Sequence, residues 1–213
     1  FVNNANGTYT ITYTVTNGNA DWISGGLPIS CVLKEPAGNS VTVSSFTDNN
    51  TLAGDANIPV VPSITSIAGD DYINASEKEA VVILGTAEAN ARISGTLTDS
   101  SAGSVAISGS ADGDGNFSIT IVDASGLADG TLTLSITATD TAGNVSAAAT
   151  KTATKDTAAP TITAATLSPN SGTAKVSDVI TITLTAGGSQ SDLTIGDACT
   201  VNSVDVSGSF TYS

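Results

Sequence analysis

Strict alternation of apolar and polar positions marks three stretches of the chain. In TYTITYTVT, residues 8–16, Tyr9, Ile11, Tyr13 and Val15 share one face and threonines occupy the other. GTLTLSITATD, residues 130–140, does the same with Leu132, Leu134, Ile136 and Ala138, and VITITLTA, residues 179–186, with Ile180, Ile182, Leu184 and Ala186. A period of two predicts strands with one buried and one wet face, as in antiparallel sheets packed into a sandwich. Helical periodicity is nearly absent. NASEKEAVV, residues 74–82, predicts a single turn capped by Asn74 or Ser76, with Glu77 and Glu79 suited to its start, before Val81–Leu84 resume as strand.

Turn signals punctuate the chain: NG at Asn6 and Asn17, DGDGN at 112–116, ADG at 128–130 and AGN twice. Between residues 59 and 158 they separate seven predicted strands: SITSIAG, AVVILGTA, ARISGTLTD, SVAISGSA, NFSITIVDA, GTLTLSITATD and NVSAAATKTAT. Seven short strands in about ninety residues predict an immunoglobulin-like sandwich. The tryptophan and cysteine pair of antibody domains does not occur in that stretch, so only the architecture carries over. The predicted fold class is all-β, with tandem immunoglobulin-like Greek-key sandwiches joined by short Asp/Pro connectors.

A second module is legible in two pieces. EPAGNSVTV, residues 35–43, parallels DTAGNVSAA, residues 140–148, which predicts the same D/E-x-A-G-N hairpin twice. Each copy is followed by a D-x-x-x-P connector, first at Asp55 and Pro59, then at Asp156 and Pro160. Residues 1–58 therefore read as the C-terminal part of a module, 59–158 as a complete one, and 159–213 as the N-terminal part of another. VDVSGSFTYS joined to FVNNANGTYTITYTV would continue as strand, turn and strand. The end pieces are thus expected to complete one domain, within one chain or between neighbouring chains, as one period of an array or as a self-assembling subunit.

Composition narrows the chemistry. Twenty acidic residues stand against six basic ones, with no histidine, for a formal net charge of −14. A phosphate backbone needs a basic face that this chain cannot assemble, so no nucleic-acid partner is expected. Without histidine, imidazole zinc sites, Ser-His-Asp triads and imidazole proton shuttles are excluded, while metals that take oxygen ligands remain open. No enzyme activity is expected, because the carboxylates come without a cleft-forming insertion or aromatic subsites. No apolar run approaches the ~20 residues of a membrane span. The absence of methionine reads as a processed or excised piece. Cys31 and Cys199 are compatible with a disulfide in an oxidising compartment or with two buried thiols, and a bridge needs α-carbons within about 7 Å.

SITSIAGDDYINASE, LADGTLTLSITATDTAGNVS and KDTAAPTIT resemble the bacterial immunoglobulin-like repeats of long extracellular adhesins, over residues 60–163 and more loosely at both ends. The resemblance implies a secreted or cell-surface extender, repeated many times, with calcium at the domain junctions and ligand binding left to other modules. Its partners would be neighbouring repeats or copies of itself, with a carbohydrate or host surface reached through other parts of the parent protein. The family pattern gathers acidic residues at the ends of each sandwich, which here makes Asp55, Asp70, Asp71, Glu77, Asp140 and Asp156 the candidate calcium ligands. Calcium takes about six to eight oxygens, a mixture that converging loops supply and a lone strand does not. Pro59 and Pro160 fix φ and extend the residue before them, making each connector short and stiff. The alternative is that these aspartates cap turns and keep the surface soluble.

Three other features have plainer explanations. DGDGN resembles the opening of a calcium loop, but its flanks are strands and its glycine and distal glutamate are not at the right places, so a hairpin turn between the fourth and fifth strands is expected. Tyr9 and Tyr13 are expected in a core, leaving Trp22 in NADWISGG as the surface aromatic that a carbohydrate-binding module would use. The N-x-S/T triplets at Asn6, Asn49, Asn74, Asn116 and Asn144 match the frequency expected in a chain this rich in Asn, Ser and Thr.

Overall fold

The computed structural model describes residues 2–43 and 51–187, together with the backbone of 200–201 and 204–205. All of its regular elements are strands. The first piece carries β1 (Val2–Asn3), β2 (Tyr9–Thr10), β3 (Cys31–Lys34) and β4 (Ser40–Val43), paired as two antiparallel ribbons, β1 with β2 and β3 with β4. The middle stretch holds β5 (Ser63–Ile67), β6 (Tyr72–Ile73), β7 (Val81–Thr86), β8 (Arg92–Thr98), β9 (Ser104–Ser110), β10 (Asn116–Val122), β11 (Gly130–Thr139) and β12 (Ala149–Lys155). Beyond them lie β13 (Ile162–Ser168), β14 (Thr181–Ala186), β15 (Thr200–Val201) and β16 (Val204–Asp205). The chain divides into two compact units, Phe1–Thr157 and Ala158–Ser213.

The middle stretch is a two-layer sandwich. One sheet has the order β10-β7-β5, the other β6-β12-β11-β8-β9. Consecutive strands switch sheets at β5 to β6, β6 to β7, β7 to β8, β9 to β10 and β10 to β11, in the Greek-key winding of an immunoglobulin-like fold. The alternation predicted for GTLTLSITATD holds: Leu132, Leu134, Ile136 and Ala138 are fully buried. They meet Ile67 and Ile83 of the opposite sheet and Ile93 and Leu97 of the neighbouring strand, all fully buried in one apolar cluster. All seven predicted strands form, with β12 beginning only at Ala149, after an isolated Thr139–Val145 bridge. The eighth, β6, pairs in parallel with the end of β12, matching Tyr72 to Thr154 and Ile73 to Lys155.

Gly95 shows how closely two neighbouring strands of the larger sheet approach each other. It lies opposite Ile136 on β11, where a Cβ would come 2.0 Å from the Ser135 carbonyl oxygen and 2.7 Å from the Ile136 Cα. Only a residue without a side chain fits there.

The end pieces depart from the alternation expected of them. The strand predicted over residues 8–16 is reduced to Tyr9–Thr10, and Tyr9, Ile11, Tyr13 and Val15 stand 46–57% exposed. β14 forms and pairs with β13, yet Ile180 and Leu184 remain 50% and 43% exposed. A sheet face is buried only against a second layer, and the period of two says which side is apolar, not whether that layer is present. Cys31 is half-buried on β3. Cys199, and with it the proposed bridge, lies outside the described residues, as do Asn49 and most of VDVSGSFTYS.

Candidate functional site at the domain joints

The acidic side chains sit where the chain reverses. At Asp140–Asn144 the Asp140 N–H donates to the Asn144 carbonyl at 3.1 Å, and the Gly143 N–H returns to the Asp140 carbonyl at 3.3 Å. Gly143 takes φ +98°, the left-handed conformation that a three-residue hairpin loop needs before the chain re-enters the ladder. The Asp140 carboxylate accepts the Gly143 N–H at 2.7 Å, the Asn144 N–H at 2.9 Å and the Asn144 side-chain amide at 2.8 Å. Partial burial raises the Asp140 carboxyl, but these donors outweigh it and leave the group below its ordinary 3.8.

Glu35–Asn39 repeats that turn. Glu35 N–H to Asn39 carbonyl and Gly38 N–H to Glu35 carbonyl are both 3.0 Å, Gly38 has φ +98°, and the Asn39 amide again reaches the acidic side chain. DGDGN is a third copy. Asp112 N–H donates to the Asn116 carbonyl at 2.8 Å, Gly115 has φ +82°, and the Asp112 carboxylate accepts the amides of Asp114 and Asn116. It is a turn between the fourth and fifth main strands, but not the hairpin expected there, because β9 and β10 belong to different sheets and the turn links the two layers.

The other candidates divide between the two ends of β12. Asp55 lies with Asp140: the Asn144 side-chain amide that serves Asp140 also donates to the Asp55 carbonyl at 3.1 Å. Asp70, Asp71, Glu77 and Asp156 lie toward the other end. Asp71, at φ +65°, accepts the Ile67 N–H and pairs with Lys151 at 2.8 Å; the lysine first, then that amide, hold its carboxyl below the usual value. Its carbonyl receives the Thr154 N–H, and the Asp156 N–H reaches Ile73. Asp70 caps Tyr72, and Asn74, one of the two caps expected for that single turn, caps Ser76 while Glu77 reaches back to the Asn74 N–H, making the cap reciprocal. Among the described residues, no three acidic or cysteine side chains converge as a cation cradle.

Two aspartates outside the predicted set organise the exit from the sandwich. Asp99 holds the β8–β9 turn through Ser101 and Gly103 and also accepts the Ala128 N–H at 2.7 Å, the first cause of its lowered carboxyl. The loop it anchors presents Asp129, which accepts the Thr157 N–H at 3.0 Å, the Thr157 hydroxyl at 2.9 Å and the Lys155 ammonium at 3.0 Å. The Thr157 amide, then Lys155, bring the Asp129 carboxyl down to about 2. Lys155 is only 4% exposed and gives a second proton to the Leu127 carbonyl at 2.6 Å.

Residues 69–155 match the family described as the bacterial Ig domain. The middle stretch is similar to bacterial Ig domains. No curated protein matches the chain. Among solved structures, a tetra-tandem repeat in the extending region of a large adhesion protein is 27% identical, covering 65% of this chain and 33% of that one, with a TM-score of 0.40. A Ca2+-stabilised adhesin that helps an Antarctic bacterium reach out and bind ice is 26% identical, covering 65% and 32%, with a TM-score of 0.36. An immunoglobulin-like domain from the M. primoryensis ice-binding adhesin is 25% identical, covering 46% and 99%, with a TM-score of 0.32. The chain thus spans about one third of the first two structures it is similar to.

Outside the matched residues, the aromatic residues reverse their expected roles. Trp22 is 8% exposed and is no surface platform. Its backbone bridges to Gly54 at 2.9 and 3.0 Å in both directions, and its ring lies over that glycine, where a Cβ would come within 2.2 Å. Tyr13, expected in a core, is 56% exposed, donates to Asn19 at 2.7 Å and meets the Trp22 ring edge-on at 6.5 Å. In the described residues no helix is long and apolar enough to cross a membrane.

Proposed function

We propose that this chain is a stretch of a bacterial extracellular extender, in which tandem Ig-like domains set distance and stiffness and calcium tightens the joints. The observation that carries this reading is the recurrence of one device: the same acidic hairpin at Glu35–Asn39 and Asp140–Asn144, each followed by its Asp/Pro connector. A repeated turn and a repeated joint suit an array whose product is length, and the role is structural, without catalysis. Asp55 and Asp140 serve one joint, and Asp70, Asp71, Glu77 and Asp156 the other. Asp140 Oδ1 gives both lone pairs to amides, but Oδ2 accepts only the Asn144 side chain and keeps one for an ion, so turn capping and ion binding are compatible. Secretion or display at the cell surface follows from this role. Melting in excess calcium and in chelator tests it: calcium raises the transition temperature, and identical melts remove calcium from the account.

The same reading makes residues 1–58 and 159–213 complementary parts of one domain, with Cys31 and Cys199 brought into it together. The exposed apolar positions of residues 9–15 and 180–184 favour a second form of it, in which neighbouring chains complete each other into a filament. Sedimentation distinguishes the two: concentration-dependent growth supports assembly, and a monomer at high concentration removes it.

A further inference from the structure

Asp129 has a counterpart in the first piece that the turn repeat alone does not reveal. Gly7 at φ +83° and Gly115 at φ +82° open matching stretches, GTYTIT and GNFSIT, and fourteen positions after each glycine comes the aspartate of an Ala-Asp pair, Ala20-Asp21 and Ala128-Asp129. The two aspartates do the same thing. Asp129 accepts the N–H of Thr157, the residue after the connector aspartate Asp156. Asp21 accepts the N–H of Ala56, the residue after the connector aspartate Asp55, at 2.9 Å. Each grip is reinforced by a neighbour: Thr157 adds its hydroxyl at 2.9 Å, and Asn57 adds its side-chain amide to both oxygens of Asp21 at 3.0 and 2.9 Å.

We propose that Asp21 and Asp129 are equivalent latches, each fixing the residue after the connector aspartate to the body of the domain it leaves. The distances in sequence, 35 residues from Asp21 to Ala56 and 28 from Asp129 to Thr157, show that local turn formation does not impose the contact. Asp21 lies in the loop after the apolar run of residues 9–15, and Asp129 in the loop after β10. In both cases a loop between two strands reaches across to the chain as it departs. At the second latch the grip extends inward: Lys155, 4% exposed, joins Asp129 to Leu127, and Asp99 holds Ala128. On the opposite side, the Asp156 N–H is held by Ile73, so residues 155–157 are tied to two elements at once. A charged acceptor suits this place, because hydrogen bonds to a carboxylate are stronger than neutral ones and the amide would otherwise open to water. The consequence for stiffness rests on the extender reading; the latch itself does not.

Amide hydrogen exchange on the full chain tests the latch residue by residue. In the native chain the Thr157 and Ala56 amides are protected, with or without chelator. Asp129→Ala speeds exchange at Thr157 on the order of tenfold and leaves Ala56 and the core amide of Ile136 unchanged; Asp21→Ala does the converse. If the alanine variant does not fold, Asp129→Asn keeps an acceptor without charge and releases Thr157 by a smaller factor. A Thr157 amide that exchanges freely in the native chain overturns the latch. So does a rise shared equally by Thr157 and Ile136, which would mean general destabilisation, or a loss of protection in chelator with Asp129 intact, which would transfer the grip to an ion. Calcium-independent melting, by contrast, would sink the calcium reading and leave these amides untouched.

Discussion

Asp140→Ala separates the two tasks that the acidic turn can perform. In the structure the carboxylate satisfies the Gly143 and Asn144 amides and the Asn144 side chain at 2.7, 2.9 and 2.8 Å, and it keeps Asn144 placed to reach the Asp55 carbonyl. Alanine removes all of these acceptors at once. A hydrogen bond to a charged group is worth about 1.5–3 kcal/mol where water is excluded, and less where the freed donor can be rehydrated, as at this half-exposed turn. Taken together the loss should be about 2 kcal/mol, near the upper range for a lost cap. For a domain of this size that lowers the melting temperature by roughly 8–16 °C. Asp140→Asn keeps an acceptor for the two backbone amides but opposes two side-chain amides, and should cost about 1 kcal/mol. The assay is thermal unfolding by circular dichroism, in calcium and in chelator. The turn contribution must appear in chelator. If both variants melt with the native chain there and differ only in calcium, the carboxylate does not support the turn and its role is confined to the ion.

Two further predictions follow from the same structure. Gly95→Ala places a methyl group 2.0 Å from the Ser135 carbonyl oxygen, so β8 and β11 must part; the domain should lose roughly 3 kcal/mol, whereas Gly113→Ala, with nothing within 4 Å, should leave the urea midpoint unchanged. For pH, Asp129 and Asp71 both have folded-state carboxyls depressed by amide and ammonium donors. Their contribution is therefore complete above the unfolded value of 3.8 and is lost as pH falls through the lowered folded values, which for Asp129 is about 2. Urea titrations between pH 7 and 2.5 should show stability falling across that window, more shallowly in Asp129→Asn and in high salt, since both carboxylates are partly exposed. An identical acid slope in the variant would contradict this.

The middle domain was legible because its strands are amphipathic with a strict period and its turns are chemically marked. Leu132, Leu134, Ile136 and Ala138 alternate in the sequence and are buried in the structure for the same reason. The same pattern at Tyr9, Ile11, Tyr13 and Val15 predicted a core that the structure does not show, because alternation identifies an apolar face and is silent on what covers it. Trp22 moved the other way: its burial depends on a bridge to Gly54, 32 positions along the chain, with no local signal. At the joints, the acidic turns were readable from D/E-x-x-G-N, and two of the candidates, Asp55 and Asp140, do share one end of the domain. Asp129 and Asp21 were not singled out, because their partners lie 28 and 35 residues away. The signal that could have found them was present in the fixed spacing from Gly7 and Gly115 to each Ala-Asp pair.

The most direct test of an ion-tightened extender is small-angle scattering of the full chain, with calcium and with chelator. The account predicts a longer maximum dimension and a narrower distance distribution in calcium, reversed by chelation and abolished when Asp55 and Asp140 are both replaced by asparagine. Superimposable curves in the two conditions would contradict it.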